Sequence, residues 1–190
     1  MKPGYLRIGL IGSSCSGKTT TATLLSQRLN IELHEEVESA LLKRWIANGK
    51  IRSKGDFVPD LSAEFHEEAL KIRERNVRNI LSFVTDRTAA ELFVYYLLYV
   101  SPHVPKAESE KFRERCLNVM SVYTHLFLFP LGSLPLKNNA VRTVNREYQS
   151  GVHQLIVRVL EEFQLDYINL SSQKLSRGKR LEEILKWLEA

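Results

Sequence analysis

A run of eight residues near the start of the chain has the residue types and spacing that hold a phosphate group. Gly12-Ser13-Ser14-Cys15-Ser16-Gly17-Lys18-Thr19 matches the pattern GxxxxGK[ST] at every fixed position. In such a loop the backbone N–H groups surround the phosphates, the lysine reaches the β- and γ-phosphates, and the threonine hydroxyl binds Mg²⁺. The pattern therefore predicts an ATP and Mg²⁺ site. Its predicted nucleotide-binding residues are Gly12, Ser13, Ser14, Cys15, Ser16, Gly17, Lys18, Thr19 and Thr20.

Acidic side chains that follow apolar runs are candidates for the rest of a phosphoryl-transfer site. Such a transfer needs a carboxylate that orients the acceptor hydroxyl, oxygens for the metal ion and cations on the transferred group. Glu36 follows the apolar run Ile31–His34, and we expect it to accept the proton of the acceptor hydroxyl, with Glu35 as the alternative. A glutamate that only stabilises the start of a helix has the same pattern.

A second acidic position closes the apolar run Leu81–Asp86 and is followed by Arg87. We expect Asp86 to act on the Mg²⁺ side of the site, through water, or to bind a substrate hydroxyl. Arg87 is expected to bind the acceptor or a phosphate. Helix capping by Asp86 and a surface ion pair of Arg87 are the alternatives.

Two arginines, Arg142 and Arg146, lie four positions apart around a predicted helix start. They are candidates for a lid that closes over the triphosphate and supplies positive charge during transfer; a solvated helix face is the alternative. The predicted catalytic residues are Lys18, Glu36, Asp86, Arg142 and Arg146. Glu36 and Arg87 are predicted to bind the substrate, and Thr19 and Asp86 the metal.

Short apolar runs alternate with helical patterns along the chain, which favours an α/β fold. The predicted strands are Leu6–Ile11, Ile31–His34, Leu81–Asp86, Thr124–Phe129 and Asp166–Leu170. The predicted helices are Gly17–Arg28, Glu36–Ala47, Leu61–Ile80, Thr88–Val100, Glu108–Tyr123, Asn145–Phe163 and Leu181–Leu188. Thr88 and Glu91 form a capping-box pair, so a helix should begin directly after Asp86. We expect Trp45, Trp187 and the apolar stripe that begins at Tyr148 to lie in the core.

Length and composition limit the kind of protein. A chain of 190 residues with 44% hydrophobic side chains is long enough for one sizeable core, and we expect a single domain over residues 1–190. The 27 basic and 22 acidic side chains give a formal net charge of +5, which suits a phosphate-rich ligand as well as nucleic acid. Two cysteines and no signal-peptide pattern predict a cytosolic protein.

The motifs also separate classes of P-loop protein. A motor of the AAA+ kind needs a strand that ends in Asp-Glu, and a GTPase needs Asn-Lys-x-Asp; neither sequence is present. Four features remain: Glu36 in HEEVESALL, Asp86-Arg87 in FVTDR, Phe129-Pro130 in LFLFP, and the arginines of AVRTVNREY. On these features the chain resembles the NadR-like P-loop kinases, of the AAA_28-type ATP-binding family, from about Arg7 to Ser172.

The resemblance implies a three-layer P-loop fold with a five-stranded parallel sheet in the order 2-3-1-4-5. The family's usual Glu-x-Ala-Arg segment is Glu36-Val37-Glu38-Ser39 here, so the expected arginine is absent. Nicotinamide riboside, the family's usual acceptor, is therefore one candidate among several.

The leading hypothesis is an ATP- and Mg²⁺-dependent kinase for a small nucleoside, nucleotide or nucleoside-like metabolite. Segments Gly49–Pro59 and Ala89–Val104 would form the acceptor side of its cleft. A nucleotide-binding regulator or slow NTPase with little acceptor-dependent activity is a second hypothesis. A kinase for nucleic-acid 5′ ends is a third, which rests only on the charge.

Overall fold

Strands and helices alternate along the computed structural model, which describes residues 5–78, 80–131, 145–172 and 175–189. Five strands are described: β1 (Arg7–Ile11), β2 (Glu32–His34), β3 (Phe83–Asp86), β4 (His125–Leu128) and β5 (Ile168–Asn169). The described helices are α1 (Lys18–Leu29), α2 (Val37–Ala47), α3 (Pro59–Arg78), α4 (Ala89–Tyr99), α5 (Lys106–Met120), α6 (Arg146–Glu162) and α7 (Arg177–Glu189). Short 3₁₀ turns cover Lys54–Asp56 and Ser101–His103.

The strands form one parallel sheet in the order β2-β3-β1-β4-β5, which confirms the predicted order. Parallel neighbours need a crossover connection, and helices supply it between successive strands. In the register of β1 with β3, Leu10 lies opposite Asp86. The loop after β1 and the turn after β3 therefore leave the sheet side by side, at the edge where ligands of such sheets bind.

Alternating side chains of the central strands build two cores, one on each face of the sheet. Ile8 and Leu10 pack with Leu25 of α1 and Ile184 of α7. Ile11 belongs to the other core, with α2, α3, α4, α5 and α6. The described chain is thus a three-layer sandwich, as predicted, in which the larger helical layer covers the face opposite α1 and α7.

Helix α4 lies in the middle of the larger helical layer, in contact with α3, α5 and α6. It begins after Thr88, whose backbone N–H donates to Glu91 Oε2 at 2.7 Å, so the predicted capping pair is confirmed. Most of its side chains are buried, and its first turn follows directly on Asp86. α4 is therefore fixed by packing next to the end of β3.

The predicted element types are confirmed, and the differences concern ends and burial. β5 has two residues instead of the expected Asp166–Leu170. Trp45 is buried, but the prediction for Trp187 is wrong, because its side chain is 49% exposed in the last turn of α7. Tyr148, in the first turn of α6, is 36% exposed, so the first position of the predicted apolar stripe does not belong to the core. An apolar pattern identifies a helix face, but not whether a neighbour covers its end.

Pro130–Asn139, with a glycine, a second proline and an Asn-Asn pair, has the composition of an irregular segment, and its positions 132–139 lie outside the described residues. None of the described helices is long and apolar enough to cross a membrane.

Gly9 tests the packing of β1 against the start of α4. A Cβ atom at Gly9 would lie 2.7 Å from Leu126 Cδ2 and 2.9 Å from Thr88 Cγ2. We expect Gly9→Ala to lower the free energy of unfolding by about 1–3 kcal/mol, measured by urea unfolding.

Gly151→Ala is the matched control, because a Cβ atom there meets nothing within 4 Å on an exposed face of α6. The gain in helix propensity should raise the free energy of unfolding by about 0.5–1 kcal/mol. Equal effects of the two substitutions would contradict the packing of Gly9.

Candidate active site

The loop after β1 has the backbone conformation of an anion cradle. Gly12, Cys15 and Gly17 have positive φ angles of 146°, 59° and 95°. A Cβ atom at Gly12 would lie 3.1 Å from the Cβ and carbonyl oxygen of Phe129, so both conformation and space favour glycine there. α1 then begins at Lys18 without a side-chain cap, which leaves the N–H groups of its first turn to a ligand.

Lys18 turns back over this loop and is 5% exposed. Its Nζ donates to the carbonyl oxygens of Gly12 and Ser13 at 2.5 and 2.9 Å, and to Ser16 Oγ at 3.3 Å. The ammonium group thus lies inside the predicted phosphate cradle, close to where the phosphate oxygens of a nucleotide would compete for it.

Glu91 provides the buried countercharge of Lys18. Its Oε1 lies 3.7 Å from Lys18 Nζ and accepts a hydrogen bond from the Gly12 N–H at 3.2 Å. The Glu91 side chain is 1% exposed. Burial lowers the pKa of Lys18 and raises the pKa of Glu91, and the attraction between the two charges opposes both shifts. Glu91 therefore joins the first turn of α4 to the loop.

From the sequence, Glu91 is identified only as a capping partner of Thr88. A stronger signal was present, because Glu91 is the one charged residue in the apolar stretch Ala89–Val100. A carboxylate in a buried helix needs a partner. What the sequence does not show is which cation supplies it.

Glu36 and Arg87, which lie far apart in sequence, form an ion pair next to the loop. Arg87 Nε lies 3.0 Å from Glu36 Oε1, and Arg87 Nη2 donates to Ser14 Oγ at 3.3 Å. Burial disfavours the charge of Arg87, but Glu36 and the nearby Tyr95 hold the pKa of Arg87 above its usual value. The guanidinium group therefore connects the predicted phosphate loop with the predicted base.

A second arginine, Arg73 of α3, supports this pair from behind. Its Nη1 donates to the carbonyl oxygen of Arg87 at 3.0 Å, where Arg87 has a φ of 74°. Its Nη2 lies 2.8 and 2.7 Å from the two carboxylate oxygens of Glu38. Burial alone would raise the pKa of Glu38, but Arg73 holds it below its usual value. Arg73 is not among the residues predicted from the sequence, since a charged residue inside an amphipathic helix carries no signal of its partner.

A cleft of about 710 Å³ opens from the loop between α2, α3, α4 and α6. Ser13 and Ser14 lie at its loop end, followed by Glu36 and Arg87. Aromatic side chains contribute much of the remaining wall: Phe57, Phe65, Tyr95, Tyr99 and Tyr148. Both segments assigned by sequence to the acceptor side, Gly49–Pro59 and Ala89–Val104, contribute lining residues.

Helix α6 closes the cleft at the side of the loop. Gln149 Nε2 donates to the Ser14 carbonyl oxygen at 2.8 Å, and the hydroxyls of Tyr148 and Tyr99 lie 2.6 Å apart. Neither Gln149 nor Tyr148 was predicted as a site residue. A stripe at helical spacing identifies the core face but does not show that its first turn reaches a cleft.

The remaining predicted residues are distributed as follows. Asp86 is buried at the end of β3, and Thr19 is exposed in the first turn of α1. Glu35 is exposed and does not line the cleft. Arg146 is exposed at the first residue of α6, next to the helix-capping side chain of Asn145. Arg142 lies outside the described residues.

Three comparisons relate this chain to known proteins. The sequence profile of the family described as AAA domain matches residues 7–177. No curated protein matches the sequence significantly. Among solved structures, the NadR protein in complex with NAD and AMP-PNP is similar with a TM-score of 0.66 and 18% identity. That match covers 98% of this chain and 50% of the other, so the chain spans half the length of the NadR protein.

Two other structures are similar over their whole length. Deoxyadenosine kinase from M. mycoides has a TM-score of 0.66 and 14% identity, with 97% of this chain and 98% of the other covered. Thymidylate kinase from Ehrlichia chaffeensis has a TM-score of 0.62 and 18% identity, with 98% and 100% covered. At these identities the similarity shows the fold alone. From the profile match and this fold together, the chain belongs to the AAA domain family AAA_28, with the fold of the NadR-like P-loop kinases.

Proposed function

We propose that the protein is a phosphotransferase that moves the γ-phosphate of ATP to a hydroxyl group of a small nucleoside, nucleotide or nucleoside-like metabolite. The observation that carries this proposal is the position of the Glu36–Arg87 pair. It lies in one cleft between the phosphate loop and an aromatic wall. The proposal is also supported by the similar structures, which include a deoxyadenosine kinase and a thymidylate kinase.

The loop and Lys18 would bind the triphosphate. Lys18 exchanges its contacts with loop carbonyls for phosphate oxygens, and the free N–H groups at the start of α1 add donors. Thr19 and Asp86 are the residues that would hold Mg²⁺, and their hydroxyl and carboxylate oxygens are the ligand type this ion prefers. When bound, the ion would neutralise charge on the phosphates.

Glu36 and Arg87 would have different roles in the transfer to the acceptor. Both side chains line the cleft, so an acceptor hydroxyl can approach the Glu36 carboxylate from the aromatic side. Glu36 would orient that hydroxyl and take its proton, while Arg87, already bonded to Ser14 of the loop, would hold the transferred phosphate group. Positioning and electrostatic stabilisation are most of what phosphoryl transfer asks of a protein.

The size and composition of the cleft favour a small acceptor over a nucleic-acid 5′ end. Its volume of about 710 Å³ is in the range of small-molecule sites. Aromatic side chains in its wall can stack on a planar ring.

The direct test is ADP release from Mg-ATP across a panel of nucleosides, nucleoside monophosphates, nicotinamide riboside, shikimate and a short 5′-hydroxyl oligonucleotide. A control without acceptor measures background hydrolysis. Release stimulated by one small acceptor would support the proposal and identify the substrate class. If ATP binds tightly but no acceptor raises release above the control, the protein is a nucleotide-binding regulator and the proposal is wrong.

Lys18 and Glu91 can be tested as a pair. We expect Lys18→Met to lower turnover at least about 100-fold, because the phosphates lose their main cation. The substitution also leaves Glu91 buried without its countercharge, which should lower the free energy of unfolding by about 3 kcal/mol. Lys18→Met combined with Glu91→Gln should recover stability but not activity. Additive losses in the double variant would contradict the coupling.

The stability loss of Lys18→Met should depend on pH. Burial raises the pKa of Glu91 in the folded wild type, and Lys18 opposes that rise. Without Lys18 the folded protein should bind a proton at Glu91 still more tightly, so the stability of the variant should fall more steeply than that of the wild type as the pH rises. The difference in unfolding free energy from the wild type should therefore shrink as the pH falls from 7 toward about 4.5. Urea unfolding at several pH values measures it, and a constant difference would assign the loss to packing.

Glu36→Gln and Glu35→Gln form a matched pair of adjacent substitutions. Loss of the proton acceptor should lower kcat of Glu36→Gln by about 10²- to 10⁴-fold, with a smaller change in the Kd for ATP. Glu35 is exposed and outside the cleft wall, so its variant should stay within about twofold of the wild type. The reverse result would assign the base to Glu35.

A further inference from the structure

A buried histidine, His66 of α3, lines the cleft and has no role in the phosphoryl-transfer chemistry above. Its side chain is 7% exposed, and its Nδ1 lies 2.7 Å from the Ser62 carbonyl oxygen. A carbonyl oxygen only accepts hydrogen bonds, so Nδ1 must carry the hydrogen. The Ser62 carbonyl thus determines which nitrogen of the ring is protonated.

The other ring nitrogen, Nε2, is consequently a hydrogen-bond acceptor. Burial lowers the pKa of His66, against the opposing effects of the Ser62 bond and Glu38, and this favours the neutral ring. Among the described residues, the His66 ring forms one hydrogen bond, the bond to the Ser62 carbonyl oxygen. Nε2 is therefore left with an unused lone pair on a residue that lines the cleft.

The ring is also held in place by its neighbours. Phe65 and Tyr96 contact it edge to face, with ring centroids 6.0 and 5.9 Å away. Much of the adjacent cleft wall is apolar, including Leu42, Phe57, Phe65 and Leu92. A fixed acceptor in such a wall discriminates strongly between ligands, because a ligand without a donor leaves it desolvated and unpaired.

We propose that His66 determines the specificity of the cleft: its Nε2 accepts a hydrogen bond from an N–H group on the planar ring of the phosphate acceptor. That the ligand is the phosphate acceptor rests on the proposed function. The binding preference for a ring with a donor does not depend on it. It assigns to the cleft a heterocycle that carries an amino or amide donor, stacked among the aromatic side chains. A ring of the same shape without that donor should bind much more weakly.

Two pairs of ligands that differ in one donor test the proposal by equilibrium binding without ATP. The first pair is adenosine and purine riboside, which lacks the 6-amino group; the second is cytidine and pyrimidin-2-one riboside, which lacks the 4-amino group. In at least one pair, the wild-type protein should bind the amino compound about 10- to 100-fold more tightly. His66→Phe should reduce this ratio to within about threefold by removing the acceptor.

Two further variants separate recognition from structure. His66→Gln offers a side-chain oxygen and should retain part of the preference. His103→Phe changes the other histidine that lines the cleft, which is exposed, and should leave the ratio unchanged. Urea unfolding of each variant shows whether it is folded under the binding conditions.

The possible outcomes are distinct. Equal affinities within both pairs for the wild type, failure of both pairs to bind, or an unchanged ratio in folded His66→Phe would each overturn the proposal. A donor preference that depends on His66, without acceptor-stimulated ADP release, would support the role of His66 and contradict the proposed phosphotransferase activity. Acceptor-stimulated ADP release without any donor preference would support the phosphotransferase activity and contradict the role of His66.

Discussion

The buried ion pair between Lys18 and Glu91 connects the two halves of the site. Lys18 belongs to the predicted phosphate loop, and Glu91 belongs to the first turn of α4, whose later turns form a wall of the cleft. Because Glu91 also accepts from the Gly12 N–H, its carboxylate ties the end of β1 to α4. A buried charge is stable only with a nearby partner, so neither element can shift without leaving a charge unpaired. The position of the loop relative to the cleft follows from this constraint.

Two more ion pairs, each between an arginine and a glutamate, lie farther from the loop. Arg87 and Glu36 both line the cleft, and Arg73 pairs with Glu38, which lines it as well. Arg73 also holds the Arg87 carbonyl, so the pairs are linked through the backbone. In each pair the desolvation of one charge is offset by the other, and the side chains are held in one geometry. Preorganised charges of this kind are what phosphoryl transfer requires of a protein.

Much of the fold and the loop could be predicted because their signals are local. The motif that ends at Lys18 and Thr19 lies between an apolar strand and a helix, and each of these elements formed as predicted. Glu36 and Arg87 were predicted separately, from positions at strand ends, and the parallel sheet brings such ends to one edge. The exposure of Trp187 could not be predicted in this way, because a periodic pattern contains no information on what covers the end of a helix.

The amino-acid sequence by itself determined the order and type of the elements, and it predicted the phosphate loop and the carboxylates at the strand ends, since these follow from neighbours in the chain. The tertiary structure alone decided the partners: Glu91 for Lys18, Glu38 for Arg73, and the Ser62 carbonyl for His66 Nδ1. The physical reason is that burial of a polar or charged group costs free energy unless a partner is present. That partner is selected by packing between helices that are distant in sequence. The spacing of residues along the chain does not predict this packing.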